Sequence, residues 1–168
     1  TMVTYLQEHP DVALVGPKLL DPDGSPQSSR RRFPSLSILF LESTWLQSLL
    51  PTRRLQQYYV NDVEDSGIQD VDWVTGAAMM VRREVTETVG LLDEGFFMYS
   101  EELDWCRRIR SSGWRIVYVP TAQVVHYGGK SSDQVVAARH IYFQSSKVRY
   151  ASKHHGRWAA EALRAWLL

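Results

Sequence analysis

Three acidic residues lie within four positions of the sequence, directly behind an aromatic and apolar run. Glu101, Glu102 and Asp104 follow Phe96–Tyr99 in the stretch FFMYSEELDWC. Carboxylates at this spacing have two ordinary uses: they stabilise the first turn of a helix, or one of them accepts a proton during catalysis. The neighbouring residues are compatible with both uses.

The structural interpretation requires only a helix that begins at the acids. Ser100 can cap such a helix, which predicts a helical segment from Glu101 to about Ser111. The helix dipole would stabilise each acid of the first turn by roughly 0.3–1 kcal/mol. Asp104 would also pair with Arg107 or Arg108 at helical spacing.

The catalytic interpretation depends on the side of this helix that must be buried. Glu102 lies on the same face as Cys106 and Ile109. A carboxylate there must be hydrogen-bonded, ion-paired or raised in pKa, and a raised carboxylate suits a general base that takes a proton from a hydroxyl. The aromatic lead-in can exclude water and offer a flat surface to a sugar ring. Spacing alone leaves both interpretations open.

The elements that would position these acids alternate between strands and helices, which predicts an α/β fold with a mixed sheet flanked by helices. The predicted order is a strand over Val12–Leu20 that turns at Gly16-Pro17, a turn at Asp21–Gly24, helical spacing over Leu36–Leu50, a long mobile loop over Thr52–Asp70, extended chain over Val71–Val81, a short helix closed by Gly90, the acidic helix, two strands separated by Pro120-Thr121, and helices from Ser131 that pause at Gly156.

Bulk composition excludes several classes of protein. The 168 residues have a formal net charge of +0, so no overall field attracts nucleic acid. A single cysteine allows no intrachain disulfide, which fits a cytoplasmic location. No apolar stretch approaches the roughly 20 residues that span a bilayer. Both ends read as cut, so we expect a piece of a longer domain that lacks part of its active site.

Most of the chain resembles a known enzyme family. Val71–Ser132 strongly resembles the second half of family 2 glycosyltransferases, and is most similar to the rhamnosyltransferase-like branch that builds bacterial polysaccharides. The region VGPKLLDPDGSPQSSRRRFPS resembles the connecting segment of the same family. The residues that carry the resemblance are Gly76-Ala77, Arg82–Glu84, Leu92–Glu94, Phe96–Tyr99, Glu101–Cys106, Tyr118–Pro120 and His126–Gly129.

The resemblance implies a partial GT-A-type fold and an inverting transfer of sugar to an acceptor hydroxyl. The donor would be a nucleotide-sugar such as dTDP-rhamnose, and the acceptor a polysaccharide or a lipid-linked carbohydrate. In this family an acid of the Glu-Asp stretch is the base. That role falls on Glu102, with Glu101 beside it and Asp104 one turn along. Glu stands where the family often has Asp, so the choice between Glu101 and Glu102 stays open.

The resemblance also indicates residues that would bind the substrates. Trp73, Thr75 and Gly76 lie where such enzymes bring the backbone close to the sugar, and Tyr99 belongs to the aromatic lead-in. One residue of the arginine run 30–32 becomes a candidate contact to a phosphate of the donor or the acceptor. We take Arg32 as the representative of that run. An ordinary strand kink and a solvated basic surface are the structural alternatives.

A metal cofactor is implied by the family rather than by this sequence. Mg²⁺ or Mn²⁺ would be held mainly by an Asp-x-Asp motif in a missing N-terminal half. His126 is the candidate ligand from this chain, and the glycine- and serine-containing loop 128–132 is a plausible phosphate-facing segment. Asp21–Asp23 has the letters of the metal motif but lies in a Pro-Gly turn, so we interpret it as a turn.

The last residues predict an amphipathic helix that begins at residue 156, after a catalytic part spanning residues 1–155. Trp158, Ala162, Ala165 and Trp166 share one side of it. This side would pack against a missing segment or another subunit, or lie on a membrane surface, where lipid-linked acceptors reside. The cytoplasm, at the inner face of the plasma membrane, is the expected location. A non-catalytic carbohydrate-binding module derived from the same fold is the alternative function.

Overall fold

The computed structural model describes residues 1–128 and 136–167 as a layered arrangement of helices and strands. The elements, in chain order, are α1 (Met2–Glu8), β1 (Val12–Leu20), β2 (Pro26–Gln27), β3 (Arg30–Arg31), α2 (Leu36–Leu41), a 3-10 turn (Gln47–Leu49), α3 (Thr52–Tyr58), β4 (Gln69–Asp70), β5 (Trp73–Val74), β6 (Met80–Val81), α4 (Arg83–Thr88), α5 (Glu101–Ser111), β7 (Arg115–Val125), α6 (Val136–His154) and α7 (Arg157–Leu167).

The main sheet is mixed, as the sequence predicts. Strands β1 and β7 pair in parallel at its centre, while β2 and β6 pair with β1 and β4 pairs with β7, all antiparallel. Strand β1 is buried almost without interruption, which explains why its sequence is a continuous apolar run rather than an alternating one. A second sheet of two strands joins β3 to β5.

Two strand breaks predicted from prolines are wrong, because both strands continue through them. β1 runs unbroken past Pro17, and β7 runs unbroken past Pro120. The two irregularities face each other across the pair: Pro17 is opposite Val119, and the next residue, Lys18, is opposite Gln123. The three β7 residues between these positions are left without a partner on β1, so the prolines produce a bulge instead of a turn.

The long loop predicted over residues 52–70 is also wrong in part. It contains helix α3 and ends in strand β4. Other local predictions are confirmed. Gly24 and Gly90 have φ values of 85° and 82°, as expected of glycines that close a turn and a helix, and Gly156 lies with φ 90° between α6 and α7.

The core lies where α5 packs on β5 and β7. Leu103, Cys106 and Ile109 form the buried face of α5, as predicted, and the thiol of Cys106 is fully buried. Helix α7 packs on α6 and α2 through Ala160 and Leu163. The side predicted to pack on a further partner is a different one, and it is exposed, with Trp158 at 84%. What covers that side stays a prediction. No helix in the described part of the chain is long and apolar enough to cross a bilayer. The division of the chain near residue 155 stays a prediction.

Candidate functional site

Helix α5 begins at Glu101, as predicted, but its start is not capped as predicted. Ser100 occupies the N-cap position with φ 64°, and its side chain makes no capping hydrogen bond. Tyr99 also has a positive φ of 67°. Two successive non-glycine residues in the left-handed region are strained, and such backbone persists where the surrounding structure imposes it. The chain thus turns sharply into the acidic helix.

This turn borders a partly enclosed cavity of about 160 Å³ between α5, α2 and α6. Its wall includes three of the predicted site residues, Trp73, Tyr99 and Glu102. It also includes residues that the sequence did not indicate. The other aromatic and charged lining residues are Arg31, Glu42, Tyr58, Tyr59, Phe143 and Lys147. Aromatic walls around a few charged groups are typical of a site that binds a small polar ring.

Glu102 has the most unusual environment among the acids. The residue is partly exposed as a whole, yet its Oε2 atom is shielded from solvent and has no hydrogen-bond partner among the described residues. Its Oε1 accepts a hydrogen bond of 3.4 Å from the backbone N–H of Gly76. Burial raises the pKa of Glu102 to about 7, and the negative charge of Glu101 adds to this effect. Backbone N–H groups, including that of Gly76, act in the opposite direction.

Glu101 lies beside Glu102 and shares part of this environment. One of its carboxylate oxygens is also buried without a partner in the part of the chain that the structure describes. Two adjacent carboxylates favour protonation of one of them, since both cannot easily be charged at short range. The structure therefore places a carboxylate with a pKa near 7 beside a second acid whose negative charge helps to raise that pKa.

Asp104 does not line this cavity, so the structure does not bring its carboxylate together with that of Glu102, and its predicted role in support of the base stays a prediction. Its side chain is completely buried and bonded to Arg108 at 2.9 Å, to Lys153 at 2.9 Å and to His154 at 2.7 Å. Burial alone would raise the pKa of Asp104, but hydrogen bonds from the three basic side chains outweigh it and lower the pKa to about 2. Asp104 instead joins α5 to the end of α6. Its ion pair with Arg108, four positions along the helix, is one that the structural interpretation predicts.

The three arginines of the run 30–32 lie in different surroundings, although they are adjacent in sequence. Arg30 is buried and donates to the backbone oxygens of residues 63 and 64. Arg31 lines the Glu102 cavity. Arg32, the predicted contact, instead lies outside this cavity, where its guanidinium donates to the Asp70 carbonyl at 3.1 Å and lies 3.8 Å from Asp72. Adjacent residues of an extended chain point to opposite faces, so Arg31 faces the cavity while Arg30 and Arg32 face away from it.

Of the other predicted contacts, Trp73 and Tyr99 line the cavity, while Thr75 and Gly76 lie outside its lining. The indole of Trp73 is 8% exposed and donates to the Arg32 carbonyl at 2.9 Å. The hydroxyl of Thr75 is buried without a partner among the described residues. A Cβ added at Gly76 would lie 3.7 Å from the side chain of Glu102, which is ordinary contact, so the protein itself does not require glycine here. Tyr99 makes an edge contact with Phe143.

A buried ion pair on the cavity wall was not predicted. Lys147 of α6 lies 3.2 Å from the Glu42 carboxylate and donates to the Glu42 carbonyl at 2.7 Å. Tyr59 donates to the same carboxylate at 2.6 Å. Burial lowers the pKa of Lys147, while Glu42 partly restores it. These residues come from segments more than a hundred positions apart, so no local spacing could have revealed them.

His126 is placed at the end of β7, beside β2. Its Nδ1 lies 2.7 Å from the Gln27 amide oxygen, and the Gln27 amide donates to Asp21 at 2.8 Å. The described residues contain no group of three or more His, Cys, Asp or Glu side chains that could hold a metal ion. The predicted phosphate-facing loop lies outside the described residues beyond Gly128. The residues described here do not by themselves form a metal site.

This geometry can support removal of a proton from a hydroxyl group. Glu102 offers a carboxylate oxygen that has no partner among the described residues, faces an aromatic cavity and has a pKa near 7, so it can accept a proton near neutral pH. The backbone N–H of Gly76 holds its other oxygen.

Comparison with known proteins places these features in a family. The chain matches the model described as glycosyltransferase like family 2 over residues 3–159. It is 33% identical over 153 residues to N-acetylglucosaminyl-diphospho-decaprenol L-rhamnosyltransferase of Mycobacterium tuberculosis, covering 90% of this chain and 49% of that protein. It is 32% identical over 83 residues to rhamnosyltransferase WbbL of Escherichia coli, covering 49% of this chain and 31% of that protein. The chain thus spans half or less of the length of these curated relatives.

Proposed function

The chain belongs to glycosyltransferase family 2, and on that premise we propose that it supplies the acceptor side and the base of an inverting glycosyltransferase. The mixed sheet flanked by helices confirms the predicted partial GT-A-type fold. The reaction would move a sugar from a nucleotide-sugar donor to a hydroxyl of a polysaccharide or lipid-linked acceptor.

The relatives support a specific form of this proposal. The Mycobacterium tuberculosis protein is named for transfer of L-rhamnose to an N-acetylglucosaminyl-diphospho lipid. A second relative is also named as a rhamnosyltransferase. We therefore propose dTDP-rhamnose as the donor and a lipid-linked amino sugar as the acceptor. Location at the cytoplasmic face of the membrane would follow from such an acceptor, and self-association stays a prediction.

The observation that carries the proposal is the buried, unpartnered oxygen of Glu102 on the aromatic cavity. In the proposed step Glu102 takes the proton of the acceptor hydroxyl. The hydroxyl oxygen then forms a bond to the anomeric carbon of the donor, and the bond from that carbon to the nucleoside diphosphate breaks. The diphosphate leaves with the electron pair, and attack from the opposite side inverts the anomeric centre. The aromatic walls would limit competition by water.

A divalent cation remains part of the proposal without a step assigned to it. Mg²⁺ or Mn²⁺ neutralises charge on a diphosphate leaving group when it is bound. From this chain His126 would supply one ligand, and the others would come from residues outside the described part. Among the residues that the structure describes, no metal-binding cluster accompanies it.

The direct test is a sugar-transfer assay on the full-length protein with Glu102→Gln. Loss of a general base commonly costs about 10²–10⁴-fold in rate, so turnover should fall by that amount while the protein stays folded. Glu102→Asp is the matched control. It keeps the carboxylate but withdraws it by one methylene, and we expect intermediate activity.

Near-normal turnover of Glu102→Gln would eliminate Glu102 as the base. The alternative, a carbohydrate-binding module without transfer activity, predicts that the unmodified full-length protein binds the acceptor but transfers no sugar.

A further inference from the structure

Arg31 stands in the cavity wall together with the proposed base. Strand β3 pairs with β5 so that Arg31 is opposite Trp73. The guanidinium carbon lies 4.6 Å from the centroid of the Tyr59 ring and 5.8 Å from that of Trp73. A guanidinium held against two aromatic rings keeps a fixed plane, which suits recognition of a planar or tetrahedral oxyanion.

Arg31 forms no ion pair with the residues that the structure describes. Its guanidinium donates to the Ser28 hydroxyl at 2.6 Å and to the Arg30 carbonyl at 3.0 Å, and no carboxylate lies within ion-pair distance of it in residues 1–128 and 136–167. The second cation of the cavity, Lys147, is by contrast paired with Glu42. A partly buried guanidinium without an ion-pair partner is available to an anion that enters the cavity.

Arg31 and Glu102 are the two charged groups lining the cavity that form no ion pair with the described residues. The other two, Lys147 and Glu42, are paired with each other. The cavity volume of about 160 Å³ is below the roughly 300–1,000 Å³ of a site for a drug-sized ligand. Such a space suits one sugar ring with a phosphate at its edge rather than an extended nucleotide.

We propose that Arg31 binds the phosphate carried by the acceptor sugar, so that this phosphate fixes the ring with one hydroxyl towards Glu102. This inference rests on the proposed function, because it takes Glu102 as the group that faces the acceptor. A phosphate could also come from the nucleotide donor. The acceptor is favoured because Arg31 and the proposed base share a single small cavity.

Binding measurements on the full-length wild-type protein test the first part of this inference. Titration by calorimetry would compare N-acetylglucosamine 1-phosphate, neutral N-acetylglucosamine, inorganic phosphate and dTDP. A charge-assisted contact predicts that the sugar phosphate binds roughly ten- to a hundredfold tighter than the neutral sugar, with a gain that shrinks at high salt. Equal binding of the two sugars would overturn the proposal.

Two neighbouring substitutions test the residue assignment. Arg31→Gln should remove the advantage of the phosphate and leave the affinity for the neutral sugar within about twofold. Arg32→Gln removes the same charge one position away and outside the cavity, so it should keep the advantage. Loss of the advantage in Arg32→Gln but not in Arg31→Gln would contradict the assignment. The assignment would also be contradicted if Arg31→Gln weakened the binding of dTDP but not the binding of the sugar phosphate.

Further variants separate this inference from folding and from the catalytic proposal. Circular dichroism would confirm that Arg31→Gln folds. If it does not, Arg31→Lys carries the test, because it keeps the charge but loses the planar fork and should retain only part of the advantage. If Arg31→Lys bound the sugar phosphate as tightly as the wild type, the planar guanidinium would not be needed, which would contradict the proposed contact. Glu102→Gln should keep the phosphate advantage while it loses transfer, so a failure of either proposal is recognisable without the other.

Discussion

Replacing Glu102 with glutamine should stabilise the protein at alkaline pH, because the wild-type carboxylate is held where its charge is unfavourable. Its pKa is raised from 4.5 to about 7, mainly by burial. Below pH 4.5 both the folded and the unfolded state hold the proton. Between pH 4.5 and 7 the unfolded state releases the proton and the folded state keeps it, so the wild type loses stability as pH rises. The glutamine variant has no such loss.

The magnitude follows from the two pKa values. At about 1.36 kcal/mol for each pKa unit, the complete effect is about 3 kcal/mol. At pH 5 the unfolded carboxylate is already partly ionised, so the stability difference between variant and wild type should grow by about 2.5 kcal/mol between pH 5 and pH 8. Glutamine has nearly the same shape, and its amide oxygen can still accept the hydrogen bond from Gly76.

The assay is urea unfolding of both proteins at several pH values, followed by circular dichroism. Titrating groups that do not interact with Glu102 affect both proteins equally and cancel in the difference. Glu94→Gln, at an exposed position, is the matched control and should give a difference that does not change with pH. A pH-independent difference for Glu102→Gln would show that the carboxylate is solvated in the folded protein, and the argument for a poised base would fail.

Four further predictions concern Glu101, Asp104, Gly16 and Gly76. Glu101→Gln removes the charge that helps to raise the pKa of Glu102, so the acid limb of the pH–rate profile of the full-length enzyme should move to lower pH; an unmoved limb would contradict this coupling. Asp104→Asn leaves three basic side chains without their buried carboxylate partner. It should therefore lower the free energy of unfolding, measured by urea titration, by roughly 3–5 kcal/mol, and a loss below about 1 kcal/mol would refute the structural role. Gly16→Ala would place a Cβ 2.7 Å from the side chain of Val74 and should lower the free energy of unfolding by about 1–3 kcal/mol. Gly76→Ala has room in the free protein, so it should leave the melting temperature unchanged but raise KM for the proposed acceptor.

The parts of the fold that follow local rules could be predicted from the sequence. The acidic helix was located to the residue because apolar spacing and its first-turn acids mark it. The prolines at positions 17 and 120 were misleading, because a local rule treats each one as a break. Only the pairing of β1 with β7 shows that the two irregularities face each other and form one bulge. Helix α3 was missed because it has no buried residue and hence no clear apolar pattern.

The candidate site could be predicted only for residues close together in sequence. The position of Glu102 on the inner side of a helix could be predicted from the spacing, and the structure confirms that position, whereas its role as the base stays a prediction. Arg31 could not be distinguished from Arg32, because the choice depends on which face of β3 turns to the cavity. Lys147 and Glu42 could not be found at all, since their contact joins α6 to the end of α2.

The unpartnered polar atoms connect the stability of this site with its function. Six buried side-chain polar atoms have no hydrogen-bond partner among the described residues, and three of them belong to Thr75, Glu101 and Glu102. A buried acceptor without a donor costs roughly 1–3 kcal/mol, so a region built only for stability would not collect them. In the proposed reaction, an acceptor hydroxyl would supply the donor that the Glu102 oxygen lacks. The carboxylate charge that burial disfavours in the free protein is, under the same proposal, the group that takes the proton, so the variant that is more stable at alkaline pH should also be the inactive one.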